Sequence, residues 1–138
     1  MKHFENVTFT PTQFTTAAEK RAFAEKLAAF VLGGFKEKSF SQKLYKTLRN
    51  CFSHIAEYDR AGFYSVWFSD TRAQLDWVVN AMRQGGYGDP AFTHSDVEKA
   101  FRTFLEKHDV QYKLTRKISA ELMAAEQAQY AALKSKFG

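Results

Sequence analysis

The sequence predicts an all-α protein: a compact bundle of about five helices behind a short extended N-terminal arm. Three observations carry this. Apolar residues recur at three- and four-residue intervals in five separate segments. Two of those segments open on a Ser/Thr followed three residues later by Glu, the box that satisfies orphan amide donors at a helix start. The only two prolines, Pro11 and Pro90, and the glycine pairs fall between the periodic segments. At 138 residues, the chain is expected to form a single domain over 1–138 with its own core.

Residues 1–14 read as an extended arm. Val7 and Phe9 alternate with Thr8 and Thr10, a pattern that suits one short strand or a segment laid across helices. The first helix follows a box of Thr16 and Glu19 and carries Phe23, Leu27, Phe30 and Val31 on one face, with Gly33-Gly34 as its stop. A second helix is expected from Ser39 or Ser41 to Tyr58, with Leu44, Leu48, Cys51, Phe52 and Ile55 as its stripe. Asp59-Arg60-Ala61-Gly62 then reads as a turn. Phe63 to Phe68 is aromatic and β-branched, and fits either a minor strand at 63–68 or a buried helical turn.

Ser69 or Asp70 is expected to cap a third helix on Leu75, Val78, Val79 and Met82. Trp77 points away from that stripe, which predicts a central helix buried on two sides. Gly85 to Pro90 breaks the chain. Ser95 with Glu98 predicts a second capping box, ahead of a fourth helix on Val97, Phe101, Phe104 and Leu105 that ends at Lys107-His108-Asp109. The fifth and longest helix starts between Tyr112 and Thr115, with Leu114, Ile118, Leu122, Ala125, Ala132 and Leu133 as its expected core stripe.

Composition bounds the function. The 14 Phe, 6 Tyr and 2 Trp predict an aromatic core and leave room for aromatic anchors at the surface. One cysteine allows no intramolecular disulfide. Residues 1–14 hold no apolar run behind a basic start, so the expected location is the cytoplasm. The most apolar run, Leu27 to Gly34, is too short to cross a bilayer, so no membrane segment is expected. A net charge of +5 permits steering of nucleic acid or an acidic protein, and equally serves solubility.

Few residues invite catalysis. Cys51 and His54 stand three apart, the spacing at which an imidazole could activate a thiol. On a helical wheel, however, Cys51 falls inside the apolar stripe and His54 on the polar flank. A buried thiol beside a solvated histidine is the expectation. An enzyme using Cys51 and His54, or a pocket formed by Tyr58, Tyr64 and Trp67, is the alternative from another class. His54 with Glu57, and His94 with Asp96, are too few for a metal site. No metal or cofactor is expected. His108 at the last turn of its helix suits a cation or donor facing the exposed carbonyls and the dipole. Gly85-Gly86-Tyr87-Gly88 follows a helix and precedes Asp89, which argues for a connector, or a functional loop with Tyr87 at its tip, over a phosphate loop.

Two surfaces are left over. Arg116, Met123, Gln127, Tyr130 and Lys134 share a narrow sector of the fifth helix opposite its expected core stripe. Met and Tyr framed by cations suit a partner-binding face or a homodimer seam. Lys36, Lys38, Lys43, Lys46 and Arg49 form a basic run suited to phosphate backbones. The leading expectation is a non-enzymatic binding protein engaging a macromolecular partner, protein ahead of nucleic acid.

Overall fold

The computed structural model describes residues 2–52 and 58–137. Among them the chain is helical without strands: α1 Ala17–Leu32, a 3-10 turn Glu37–Ser39, α2 Gln42–Leu48, α3 Arg60–Trp67, α4 Thr71–Arg83, α5 Ser95–Lys107 and α6 Val110–Phe137. The helical class is as the periodicity predicts. The boundaries differ in ways that have physical causes.

The Thr16–Glu19 box forms at the start of α1, with Thr16 Oγ1 accepting from the Glu19 amide at 3.0 Å. At the other end the chain passes through the left-handed region at Gly34 (φ +91°) and Phe35 (φ +58°). A bulky residue rarely adopts that conformation. Here the turn drives the Phe35 ring into the core, 5.5 Å from both Phe30 and Phe68.

The second helix is shorter than its apolar spacing implies. Ser41 caps α2 through the Leu44 amide, and the helix ends at Leu48. Cys51 and Phe52 are buried as expected, but from a turn in which Phe52 has φ +56°. Glu98 holds that turn by accepting the Phe52 amide. Ser53 to Glu57, and with them His54 and Ile55, lie outside the described residues.

Residues 60–67 are α3, which corrects both the turn at Asp59–Gly62 and the minor strand at 63–68. The Asp59 carboxylate accepts from the Gly62 amide at 2.7 Å, so a Asx-type turn signal is in fact a helix N-cap. Local capping chemistry outweighs β-branching in so short a segment.

The capping box expected at Ser95 does not form either. Ser95 is the first residue of α5, and its hydroxyl donates to the Gly88 carbonyl at 2.9 Å. Glu98 turns inward instead, to the amides of Phe52 and Gly86. Burial, its largest influence, pushes its pKa up against the pull of those two amides and Arg102.

Trp77 is the centre of the core. α4 buries Gln74, Trp77, Val78 and Ala81, a face rotated from the expected stripe of Leu75, Val78, Val79 and Met82, of which Val78 is buried and the other three are half-buried. The indole lies 5.3 Å from Phe68, 5.8 Å from Phe52, 6.2 Å from Phe101 and 6.4 Å from Phe35. Edge-on contacts of this kind add specific geometry to the area they bury. The buried apolar side chains form one cluster drawn from the arm and every helix.

The arm is the extended segment the alternation allows, and not a strand. Phe4 and Phe9 are buried. The amides of His3 and Phe4 donate to Glu25, and Arg21 donates to the Phe4 and Val7 carbonyls. Among the described residues, no helix is long and apolar enough to cross a membrane.

Candidate functional site

Asp109, in the left-handed region at φ +49°, turns the chain directly from α5 into α6. Val110 and Leu114 bury against the body and Ile118 does so in part. Thr71 at the head of α4 donates to the Glu121 carboxylate at 2.9 Å, the last hydrogen bond between α6 and the body among the described residues. From Ser119 to Phe137 every residue is exposed. That length of helix is about 28 Å at 1.5 Å per residue. Its composition explains why it is helical without packing. Ala, Leu, Met, Glu, Gln and Lys are strong helix formers, and Lys134 and Lys136 face the negative end of the dipole.

This overturns the core stripe expected beyond Ile118. Leu122 and Leu133 have the helical spacing of core residues, yet both are more than half exposed. The reason is reach: α4 ends its antiparallel run at Thr71, so no element among the described residues remains to cover them. Met123, Tyr130 and Phe137 are also more than half exposed. At about 100° per residue, Leu122, Leu133, Phe137, Tyr130 and Met123 fall within one sector about 100° wide. Arg116, Gln127 and Lys134 border it on one side, and all three are exposed. Arg116 lies 5.9 Å over the ring of Tyr112, near the base of the same sector. Met123 and Tyr130 of the expected face therefore belong to a wider apolar stripe, whose other members Leu122 and Leu133 periodicity assigns to the core.

The basic run is divided. Lys36 and Lys38 are exposed around the 3-10 turn. Lys43 and Lys46 line a cleft between α1 and α2, facing Lys26 of α1, which the sequence reading does not single out. Arg49 turns back on its own helix, 5.8 Å over the ring of Tyr45. Side chains adjacent in sequence thus serve three different surfaces.

Cys51 is buried, and its thiol donates to the Thr47 carbonyl at 3.3 Å. Burial, with a smaller push from Glu98, raises its pKa far above neutrality, so the thiol is protonated. Its proposed partner His54 lies outside the described residues. Tyr64 donates to the Phe35 carbonyl at 2.6 Å, and Tyr58 is exposed. Among the described residues, no group of three His, Cys, Asp or Glu could hold a metal ion.

His108 stands at the expected helix end, and of the two roles expected there the donor suits it better than the cation. It caps α5, and its ring packs 4.6 Å from Phe104 and 5.4 Å from His3. Desolvation lowers its pKa, and His3, Lys107 and Lys113 push the same way, which favours the neutral ring. Comparison with family models, with curated proteins and with solved structures finds no match to this chain.

Proposed function

We propose that this is a non-enzymatic binding protein whose contact element is the exposed length of α6. The observation that carries the reading is the apolar stripe of Leu122, Met123, Tyr130, Leu133 and Phe137 on a helix that no described residue covers from Ser119 onward. Such a patch on a soluble chain is the usual mark of an interaction surface. An amphipathic helix of this kind binds by laying its apolar face into a groove.

Charge indicates what the groove is made of. α6 carries Lys113, Arg116, Lys117, Lys134 and Lys136 against Glu121 and Glu126. The partner is a protein whose hydrophobic groove is rimmed by carboxylates. A second copy is a poorer fit. Parallel pairing sets Glu126 against Glu126 within the stripe, and antiparallel pairing about residues 125 and 126 sets Arg116 against Lys134, which share one flank of it. Like charges across a helix seam disfavour it. The setting proposed, with one buried cysteine and no disulfide, is the cytoplasm.

Sedimentation of the wild type beside Tyr130→Asp, with affinity capture of both from lysate treated with nuclease, tests this. A wild-type monomer that retains a protein through nuclease treatment, lost in Tyr130→Asp, is the expected result. A wild-type dimer dispersed by Tyr130→Asp would assign the stripe to self-association. Retention that survives Tyr130→Asp would reject the stripe as the contact.

A further inference from the structure

A second surface is aromatic and cationic in its large exposed side chains. Phe14, Tyr87 and Phe92 are 86%, 72% and 82% exposed, and all three line one hollow of about 440 Å³. Lys26, Lys43 and Lys46 line the neighbouring cleft of about 240 Å³. Thr15, Asn50 and His94 line both, so the two form one continuous groove.

The rings are held outward by ordered backbone. The Thr12 hydroxyl accepts the amides of Phe14 and Thr15, and the Thr12 amide closes the turn on the Thr15 carbonyl at 2.8 Å. Tyr87 stands between Gly86 (φ +82°) and Gly88 (φ +95°), conformations open to glycine, which throw its side chain off the loop. The loop carrying Phe92 is pinned by the fully buried Lys20, whose ammonium donates to the Pro90 carbonyl at 2.8 Å and the Thr93 carbonyl at 2.9 Å. Among the described residues, none of the three exposed rings has a ring partner. Three large apolar faces kept in water by hydrogen-bonded turns are costly unless something stacks on them.

The two carboxylates in the groove are already engaged. Glu19 accepts the Thr16 amide at 3.1 Å, and Glu98 accepts those of Phe52 and Gly86. The three lysine ammoniums make no hydrogen bond among the described residues. At the junction, His94 Nε2 is buried without a hydrogen-bond partner there.

We propose that this groove binds single-stranded nucleic acid, with bases stacked on Phe14, Tyr87 and Phe92 and phosphates on Lys26, Lys43 and Lys46. Every base offers a π-face and every linkage an anion, so aromatic platforms beside a cationic track recognise a single strand without reading its sequence. A duplex keeps its bases stacked on each other and offers the rings nothing. The site is independent of α6, and neither reading depends on the other.

Fluorescence anisotropy with labelled twelve-nucleotide oligothymidylate and oligouridylate, and with a duplex of the same length, tests it. The variants are Phe14→Ala, Phe92→Ala, Lys43→Glu with Lys46→Glu, and Tyr130→Asp, each checked for an unchanged melting curve. The single strands bind more tightly than the duplex and weaken steeply with salt. Phe14→Ala and Phe92→Ala each lower affinity about tenfold, the paired lysine substitution lowers it further, and Tyr130→Asp leaves it unchanged. No binding of either oligonucleotide at low salt overturns the proposal. So does equal affinity for duplex, or indifference to the phenylalanine variants. A protein captured from lysate, lost in Phe92→Ala without any oligonucleotide binding, would give the groove to a protein and also overturn it.

Discussion

The ammonium of Lys20, on α1, meets the carboxylate of Asp96, on α5, at 3.0 Å, with the lysine fully buried. Asp96 also accepts the Thr10 amide at 2.9 Å. One ion pair therefore joins the arm, the first helix, the loop ahead of α5 and α5 itself. A buried lysine is tolerated because all its hydrogens find oxygens, two on backbone carbonyls and the rest on Asp96.

Lys20→Met removes one partner and leaves the other charged with two carbonyls unsatisfied. The expected loss of stability is about 3–5 kcal/mol, the cost of breaking a buried pair from one side. Chemical denaturation measures it. A loss under about 1 kcal/mol, the level of an exposed pair, would contradict the role given to Lys20.

Trp77→Ala should cost about 3–5 kcal/mol, as large-to-small changes in a packed core do. Phe52, Phe68 and Phe101 close around the indole, so the space cannot refill easily. Retention of the wild-type denaturation midpoint would show that the aromatic cluster is not the centre of the fold.

His94 gives a pH dependence. Burial, then the Lys20 charge, lowers its pKa against the opposing pull of Asp96. The unfolded chain therefore takes up this proton first as pH falls below about 6.5, and the native state loses stability from there downward. Glu98 acts in the opposite sense but is common to both proteins in the comparison. His94→Asn should lose less stability than the wild type between pH 7 and pH 5, read from melting temperatures. Parallel losses would contradict the cause assigned.

Cys51 should react with a maleimide in native buffer only at the rate of unfolding, and readily in denaturant. Its burial and raised pKa both predict this. Fast labelling of the native protein would restore the thiol as a candidate nucleophile.

How far these features can be read from the sequence depends on whether they are local. Thr16 with Glu19 names its own helix start, and Phe23, Leu27, Phe30 and Val31 name its face, because partners lie within one turn or one stripe. Trp77 is legible as central for the same reason: its sector of α4 is otherwise poor in charge. Asp59 misleads because an N-cap and a turn share residue types, and only the Gly62 amide decides between them. Glu98 misleads because its partners, Phe52 and Gly86, are distant in sequence. Leu122 and Leu133 have helical spacing, but spacing cannot tell a face that meets a neighbour from one that outruns it. The groove was invisible for a similar reason. Phe14 comes from the arm, Lys43 from α2, and Tyr87 and Phe92 from the loop ahead of α5, and only the fold sets these three segments side by side.

We propose the uncovered stripe of α6 as the place where this protein meets a partner. The direct measurement places a photo-crosslinking residue at Leu133 or Met123, and at Lys113 as a control near the covered base of the helix. After irradiation in lysate treated with nuclease, the account predicts a discrete protein adduct from Leu133 and Met123. Tyr130→Asp should abolish it, and Lys113 should give little. Absence of any adduct from the stripe, or an adduct indifferent to Tyr130→Asp, would contradict it.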